Sequence, residues 1–232
     1  MKASFTKEGL QRRLEKIKQI REEMESKVVD MHVKLQQGNS KTGANCWTVS
    51  LLPVFDCANC SECKGNCYDL KSDLIYPRVI EDRCRNSLIH QFDIERYWRE
   101  IDIQVKANFV SELRLNVGGD FRYKDFGYIA DLGESNPKTR ILFFTKNYRE
   151  LNKFLDERKF PNNVHPIMSA WEGMEMENPH NLPCSHLLYD DGRTTAPAYG
   201  AYYCTGNCSE CAYFDKGCWT LKENEHVIFH AH

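Results

Sequence analysis

The sequence predicts an α/β protein, arranged as a partial TIM-like barrel or an open parallel sheet, with a long N-terminal helix and cysteine-rich metal loops. Two observations lead to this prediction. Short β-prone segments alternate with helical segments in the second half of the chain, as they do in parallel βα units. Eleven cysteines occur among the 232 residues, and most of them lie in two tight clusters. The βα units are too few for a closed eight-stranded barrel.

The first predicted element is an amphipathic helix over residues 6–36, which begins at Thr6 and is stopped by Gly38. Its apolar residues recur at intervals of three, four or seven: Leu10, Leu14, Ile17, Met24, Val28, Met31 and Leu35. We therefore assign residues 1–38 to an N-terminal helix and residues 39–232 to the α/β domain. The apolar stripe favours packing on the same chain, and a homodimer through this helix is the alternative.

The α/β domain begins with a predicted loop over residues 39–68, which is rich in Cys, Gly and Asn. A mostly helical segment then runs from residue 76 to about residue 109. The predicted strands and helices that follow are, in chain order, strand 113–117, helix 123–132, strand 140–145, helix 148–158 and strands 164–170, 186–189 and 227–229. Ligands of such folds bind at the carboxyl ends of the strands, which is where we expect the site.

Charge and hydropathy narrow the class of protein. The net charge is -2, and the 31 basic and 33 acidic residues form no run of like sign, so nothing in the charge pattern indicates sequence-independent binding of nucleic acid. No segment approaches the ~18 consecutive apolar residues of a membrane span, and the charged N-terminus does not resemble a signal peptide. We therefore expect a cytoplasmic protein without membrane partners. A reducing cytosol does not support disulfides, so eleven cysteines indicate metal.

The first cysteine cluster has the spacing C-x2-C-x2-C-x3-C and comprises Cys57, Cys60, Cys63 and Cys67. This is the ferredoxin-type run, in which successive thiolates hold the corners of a 4Fe–4S cluster. Tyr68 follows the last cysteine, where the ferredoxin run has proline. The spacing predicts that all four cysteines bind metal.

The second cluster comprises Cys204, Cys208 and Cys211, with the spacing C-x3-C-x2-C, and Cys218 further on. The three-cysteine spacing is the one used by radical S-adenosylmethionine enzymes. Its position near the C-terminus and the fourth cysteine are more typical of an auxiliary iron–sulfur cluster. The pattern Asn-Cys-Ser-Glu-Cys occurs in both clusters, at 59–63 and 207–211, and predicts similar metal loops. Nearby tyrosines are expected to shield the second cluster from water: Tyr199, Tyr202 and Tyr203.

Zinc is the alternative to iron–sulfur. The pairs Cys60/Cys63 and Cys208/Cys211 are C-x2-C knuckles that would together make one four-cysteine zinc site. The number and softness of the thiolates favour one or two iron–sulfur clusters, with 4Fe–4S first. A single larger cluster is a further possibility if the two loops meet.

Three cysteines remain outside the clusters. Cys46 lies eleven residues before Cys57, and we predict it as an additional ligand. Cys84 and Cys184 are predicted to be buried thiols.

Polar residues at the ends of predicted strands suggest a cofactor site. Gly118, Gly119 and Asp120 end one strand; two glycines allow close approach of a ligand, and the carboxylate can accept hydrogen bonds from an ammonium group. Lys146 and Ser169 end the next two strands and are expected at the same rim.

Five segments together resemble the phage-encoded gene product eighty-eight family: 39–43, 63–68, 119–121, 144–146 and the C-terminal cysteines. The resemblance runs from about residue 39 to residue 230. That family is similar to radical S-adenosylmethionine proteins, which implies a partial barrel, a 4Fe–4S cluster in the N-terminal loop and a pocket for S-adenosylmethionine. By this analogy Gly118, Gly119 and Asp120 match a Gly-Gly-Glu segment that binds the cofactor's amino group, with Asp in place of Glu.

The resemblance implies a radical enzyme of the oxidoreductase or transferase type, with an unidentified substrate and electron donor, in a host cytoplasm. The alternatives are an iron–sulfur protein that does not use S-adenosylmethionine, with a cluster for electron transfer, sensing or structure, and a zinc-binding module.

Overall fold

The computed structural model describes residues 6–39, 42–58, 60, 62–70 and 76–230. Within them the chain forms an eight-stranded sheet with helices packed against it. The strands are β1 (Gln36–Asn39), β2 (Gly43–Val49), β3 (Glu112–Leu115), β4 (Arg140–Thr145), β5 (Val164–Ser169), β6 (Cys184–Leu188), β7 (Ala201–Tyr203) and β8 (His226–His230). The α-helices are α1 (Lys7–Glu25), α2 (Pro77–Phe92), α3 (Ile94–Ala107), α4 (Tyr123–Ser135), α5 (Tyr148–Glu157) and α6 (Cys208–Tyr213).

The strands follow the order β1-β2-β3-β4-β5-β6-β8-β7 across the sheet. Only β1 is antiparallel to its neighbour, and all the other neighbouring pairs are parallel. Consecutive strands from β2 to β6 lie side by side, which is the order of a sheet wound in one direction. The sheet has two edges, β1 and β7, and does not close. The prediction of an α/β protein with an open, mostly parallel sheet is therefore confirmed.

One face of the sheet is covered by helices. Side chains alternate along a strand, and β2 to β4 are in register, so Val49, Leu113 and Phe143 all point to this face. Each of them is at most 2% exposed. They pack against helical residues such as Trp98 and Phe126. Residues of α2, α3, α4 and α5 all belong to the same apolar cluster, so this face holds the larger core.

The opposite face is covered by the C-terminal cysteine segment. Cys46 and Leu142, which alternate with the residues of the helix-covered face, are at most 1% exposed. Cys211 of α6 and Trp219, in a 3-10 turn after it, pack on them. The second cysteine cluster is therefore a structural layer of the fold.

The N-terminal helix is shorter than predicted. The Thr6 hydroxyl accepts a hydrogen bond from the Gly9 amide at 3.0 Å, as expected for the N-cap, but the helix ends at Glu25. Side chains of α2 and α3 bind the backbone that follows: the Val33 amide donates to Glu100 and the Lys34 amide to Asn86. These tertiary hydrogen bonds replace helical ones, and the chain continues into β1. The predicted domain boundary at residue 38 therefore falls inside a strand.

The same helix packs on its own chain, which was the favoured interpretation. Ile17 is fully buried in a cluster with Leu52, Leu70 and Ile80. A homodimer through this helix stays a prediction.

The other predicted strands and helices agree with the structure to within a few residues, and the structure adds the helix α6 and, besides β1, two strands that the sequence did not predict. Residues 43–49, predicted as part of a loop, form β2, and residues 201–203 form β7. The first residues of β2 are not β-prone, so the sequence did not indicate a strand there. Pairing of β2 with β3 stabilises the strand. Among the described residues, no helix is long and apolar enough to cross a membrane.

Candidate metal sites

The first cysteine cluster lies at the carboxyl edge of the sheet, in the loop that follows β2. The Cys60 thiol is hydrogen-bonded to both Cys57 and Cys63, and these contacts, together with burial, raise its pKa. We call these three residues the edge group. The contact with Cys60 is the main reason that the pKa of Cys63 falls to about 6, and the Lys146 charge contributes to the shift. The Cys60 contact and the Lys146 charge therefore both favour the thiolate form of Cys63.

Cys67, the fourth cysteine of the predicted run, has backbone partners of its own. Its sulfur accepts hydrogen bonds from the backbone amides of Asp69 and Leu70, and burial raises its pKa to about 12. It packs beside the apolar cluster that contains Ile17 and Leu70. Cys57, Cys60 and Cys63 are thus in direct contact, while Cys67 interacts with Cys57 electrostatically, and the four-cysteine ligand set stays a prediction.

Asp120 lies at the end of β3 with its carboxylate engaged by internal donors. One oxygen accepts from the Thr145 hydroxyl at 2.5 Å and from the Phe121 amide at 2.8 Å, and the other accepts from the Lys146 amide at 2.9 Å. Burial, which leaves the residue 7% exposed, raises its pKa. The carboxylate ties the end of β3 to the end of β4. This role differs from the amino-group recognition that the resemblance implies.

The two glycines before Asp120 have packing roles. A Cβ on Gly118 would lie 1.9 Å from the carboxylate of Asp69, which forms a buried ion pair with Arg83 at 2.6 Å. Gly119 has a φ of +82° and faces Leu51, which a Cβ would approach to 2.7 Å. Gly118 makes room for the ion pair, and Gly119 takes a backbone conformation that other residues rarely adopt.

Lys146 and Ser169 lie at the carboxyl edge, as predicted. The Lys146 ammonium is 5.0 Å from the centre of the Trp171 ring, and its charge acts on Cys63. The Ser169 carbonyl accepts from the Tyr148 hydroxyl, and its own hydroxyl accepts from Ser185 at 3.1 Å. Lys146 is thus the rim residue that interacts with the edge group.

The second cysteine cluster surrounds a cavity on the opposite face of the sheet. Four cysteines line this cavity: Cys204, Cys208, Cys211 and Cys218. The side chains of Arg114, Leu142, Phe144, Trp219 and Phe229 line it as well. Tyr202 lines the same cavity, and its hydroxyl lies 3.8 Å from the Cys211 sulfur. The prediction that Tyr202 covers this cluster is confirmed, whereas Tyr199 and Tyr203 are largely exposed.

Cys46 belongs to the second cluster and not to the first. Its thiol, fully buried on β2, is hydrogen-bonded to Cys208. This contact is the main reason that the pKa of Cys208 falls to about 6, and Arg114 lowers it further. We call these five cysteines the face group: Cys46, Cys204, Cys208, Cys211 and Cys218. The short sequence interval from Cys46 to Cys57 favoured the assignment of Cys46 to the first cluster. The strand β2, which carries Cys46 to the opposite face of the sheet, was not predicted.

Two residues that contact the face group or the strand β2, Ser209 and Arg114, were not predicted from the sequence. The Ser209 hydroxyl accepts hydrogen bonds from the amides of Asn45 and Cys46 and donates to the Thr42 carbonyl, at 2.9–3.0 Å, which fixes α6 against β2. Arg114, on β3, points into the cavity, with Nη1 3.6 Å from the Cys208 sulfur. The only sequence signal for Arg114 was a cation between two apolar residues of a strand.

All eleven cysteines are free thiols. Cys84 and Cys184 are buried, 0% and 2% exposed, as predicted. The pairs Cys60/Cys63 and Cys208/Cys211 lie in different groups, whereas a single zinc site would have to combine them. Among the described residues, no set of three or more His, Cys, Asp and Glu side chains has the geometry to hold a single metal ion.

Comparison with known proteins gives one match. The model of the family described as gene product 88 matches residues 16–220. The match covers both cysteine groups and extends into α1, beyond the resemblance noted from residue 39, and it ends before β8. No curated protein and no solved structure matches the chain. Because the family model spans most of the sequence, the chain belongs to the gene product 88 family.

Proposed function

We propose that this protein binds iron–sulfur clusters, with one cluster at the face group and another at the edge group. The observation that carries the proposal is a cavity lined by four cysteines of the C-terminal segment, with a fifth cysteine, Cys46 of the distant strand β2, in contact with one of them. Cys46 comes from β2, Cys204 precedes α6, Cys208 and Cys211 lie on α6, and Cys218 follows it. Thiolates are the soft ligands that iron–sulfur clusters use, so a group of this size favours metal binding.

The donor set of the face group suits an iron–sulfur cluster. Thiolates are the ligands that hold such clusters, and four of them complete a cubane. Apolar side chains line the same cavity, namely those of Leu142, Phe144, Trp219 and Phe229, and they reduce the polarity around the sulfurs. Arg114 supplies a positive charge beside Cys208, which offsets the negative charge of several thiolates.

Three thiols at the carboxyl edge favour a second, catalytic candidate function. Cys57, Cys60 and Cys63 are in contact, while the Cys67 sulfur binds backbone amides, so the chain offers the edge group three ligands. A 4Fe–4S cluster held by three cysteines has an open iron, which is the arrangement of radical S-adenosylmethionine enzymes. When bound there, such a cluster would supply an electron to S-adenosylmethionine. The alternatives are a cluster for electron transfer, for sensing or for structure.

Several residues of this chain would shape that edge site. Lys146 lies beside Cys63 and presents its ammonium at the rim, where it can bind an anionic group of a ligand. Asp120 holds the ends of β3 and β4 together beneath it. Gly118 and Gly119 keep the rim closely packed. We also propose a reducing compartment such as the cytoplasm, which the eleven free cysteines support.

Anaerobic purification and reconstitution test metal binding. We expect brown protein with iron and sulfide in roughly equal amounts and with absorbance bands of an iron–sulfur cluster. Cys208→Ala should lose the iron of the face group, whereas Cys184→Ala, a buried cysteine outside both groups, should keep the full content. Colourless protein with stoichiometric zinc would overturn the proposal.

A separate experiment tests the catalytic candidate. S-adenosylmethionine is added to the reduced, reconstituted protein, and its EPR spectrum is compared with that of the untreated sample. A changed spectrum and release of 5′-deoxyadenosine, both lost in Cys63→Ala and kept in Cys84→Ala, support a radical enzyme. An unchanged spectrum without 5′-deoxyadenosine leaves the protein as an iron–sulfur protein of another kind.

A further inference from the structure

Arg114 is placed to act directly on the face group. It lies on β3, in register with Leu142 of β4, and its side chain lines the cavity with the cysteines. Its Nη1 atom is 3.6 Å from the Cys208 sulfur, and its guanidinium carbon is 5.0 Å from the centre of the Phe144 ring. The ring holds the planar guanidinium in place, and the N–H group points to sulfur.

The charge of Arg114 is directed at thiols and not at carboxylates. Its main electrostatic partners are Cys208, Tyr68, Cys218 and Cys46. Its Nε atom is buried without a hydrogen-bond partner among the described residues. A buried cation of this kind is costly unless negative charge is close, and thiolates are the nearest source.

Arg140, another arginine on the same face of the sheet, provides the contrast. Its guanidinium forms ion pairs with Asp215 at 2.6 Å and with Glu112 at 3.2 Å, and it donates to the Ala212 carbonyl. The charge of Arg140 is therefore largely neutralised by carboxylates. Arg114 retains its charge for the sulfurs.

We propose that Arg114 raises the reduction potential of the cluster at the face group; this inference rests on the proposed binding of iron and sulfide there. Reduction adds one electron, and hence one negative charge, next to the guanidinium. Arg114 stabilises that charge by Coulomb attraction and by its N–H group on the Cys208 sulfur, and hydrogen bonds to sulfur and nearby charge set such potentials. Arg114 is thus a positioning and tuning residue of the face group.

The test is a redox titration of the reconstituted full-length protein with dithionite, followed by EPR. The signal that Cys208→Ala removes belongs to the face group. In Arg114→Met we expect the midpoint potential of that signal to shift to more negative values at unchanged iron content. Arg114→Gln, neutral but able to donate an N–H, should shift it less. Arg193→Met, which removes an exposed arginine that is paired with Asp191 and Glu172, should leave it unchanged.

The outcomes separate the inference from the proposed function. Wild-type protein without iron would mean that the proposed function fails. Iron-loaded Arg114→Met with the wild-type potential would overturn the inference alone. Loss of face-group iron from both neutral variants would also overturn it, because Arg114 would then be required for binding and would not tune the potential.

Discussion

The thiol of Cys46 on β2 is hydrogen-bonded to the thiol of Cys208 at the start of α6. This contact joins the first parallel strand to the C-terminal cysteine segment. The same junction is held by Ser209, whose hydroxyl binds the amides of Asn45 and Cys46. The face group therefore depends on a long-range contact, and it forms only when the sheet and the C-terminal segment have docked.

Cys46→Ala tests this dependence. We expect iron at the face group to be lost to a chelator about 10-fold faster than from the wild type, the scale typical of residues that support metal ligands. The reason is that Cys46 is in direct contact with Cys208 and is fully buried. Cys184→Ala is the matched control, because it removes a buried thiol outside both groups. Equal rates of iron loss in the two variants would contradict the role of Cys46.

Cys67→Ala tests the composition of the edge group. Because the Cys67 sulfur binds the amides of Asp69 and Leu70, we expect this variant to keep the iron content of the wild type. Cys57→Ala, Cys60→Ala and Cys63→Ala should each lose the iron of the edge group. Iron and sulfide analysis of the four variants decides the point, and loss of iron in Cys67→Ala would restore the four-cysteine ligand set.

Gly118→Ala is expected to destabilise the fold by at least about 3 kcal/mol, the scale for breaking a buried ion pair. The added Cβ would lie 1.9 Å from the Asp69 carboxylate and would displace it from Arg83. The measurement is the midpoint of urea unfolding. Gly127→Ala, in α4 with open space around its Cα, is the control and should be neutral or more stable by up to about 1 kcal/mol. Equal midpoints for Gly118→Ala and the wild type would show that the ion pair adapts.

His186 predicts a pH dependence of stability. It is 4% exposed and hydrogen-bonded to His226 and Thr195, each at 3.0 Å. Burial, and then the proximity of His226, lowers its pKa from 6.5 to about 4. Because the unfolded chain takes up this proton first, protonation favours unfolding, and stability should fall as the pH falls from about 6.5 towards 4.

The variant that tests this prediction is His186→Gln, with urea unfolding measured at several pH values in that range. We expect a shallower loss of stability with falling pH than in the wild type. His180→Gln, which removes a partly exposed histidine paired with Asp156, should retain the wild-type slope. The same slope in His186→Gln and the wild type would show that groups other than His186 cause the loss of stability at acid pH.

Local sequence determined a large part of the fold. The apolar run of residues 140–145 was recognisable as a strand because its side chains are buried from both faces, and it forms β4. Thr6 was recognisable as an N-cap because its hydroxyl binds an amide three residues away. Cysteine spacing likewise indicated the two clusters. Each of these features depends on neighbours within a few positions.

Tertiary structure decided the rest. The path of the chain after α1 depends on hydrogen bonds that its backbone amides donate to side chains of α2 and α3, and the strand identity of β2 depends on its pairing with β3. The position of Cys46 beside Cys208 depends on the docking of the C-terminal segment on β2, and the contact of Arg114 with Cys208 depends on strand order and register. The sequence by itself determined that the cysteines form clusters, whereas long-range packing determined which thiols meet, because spacing along a chain does not specify distance across a sheet.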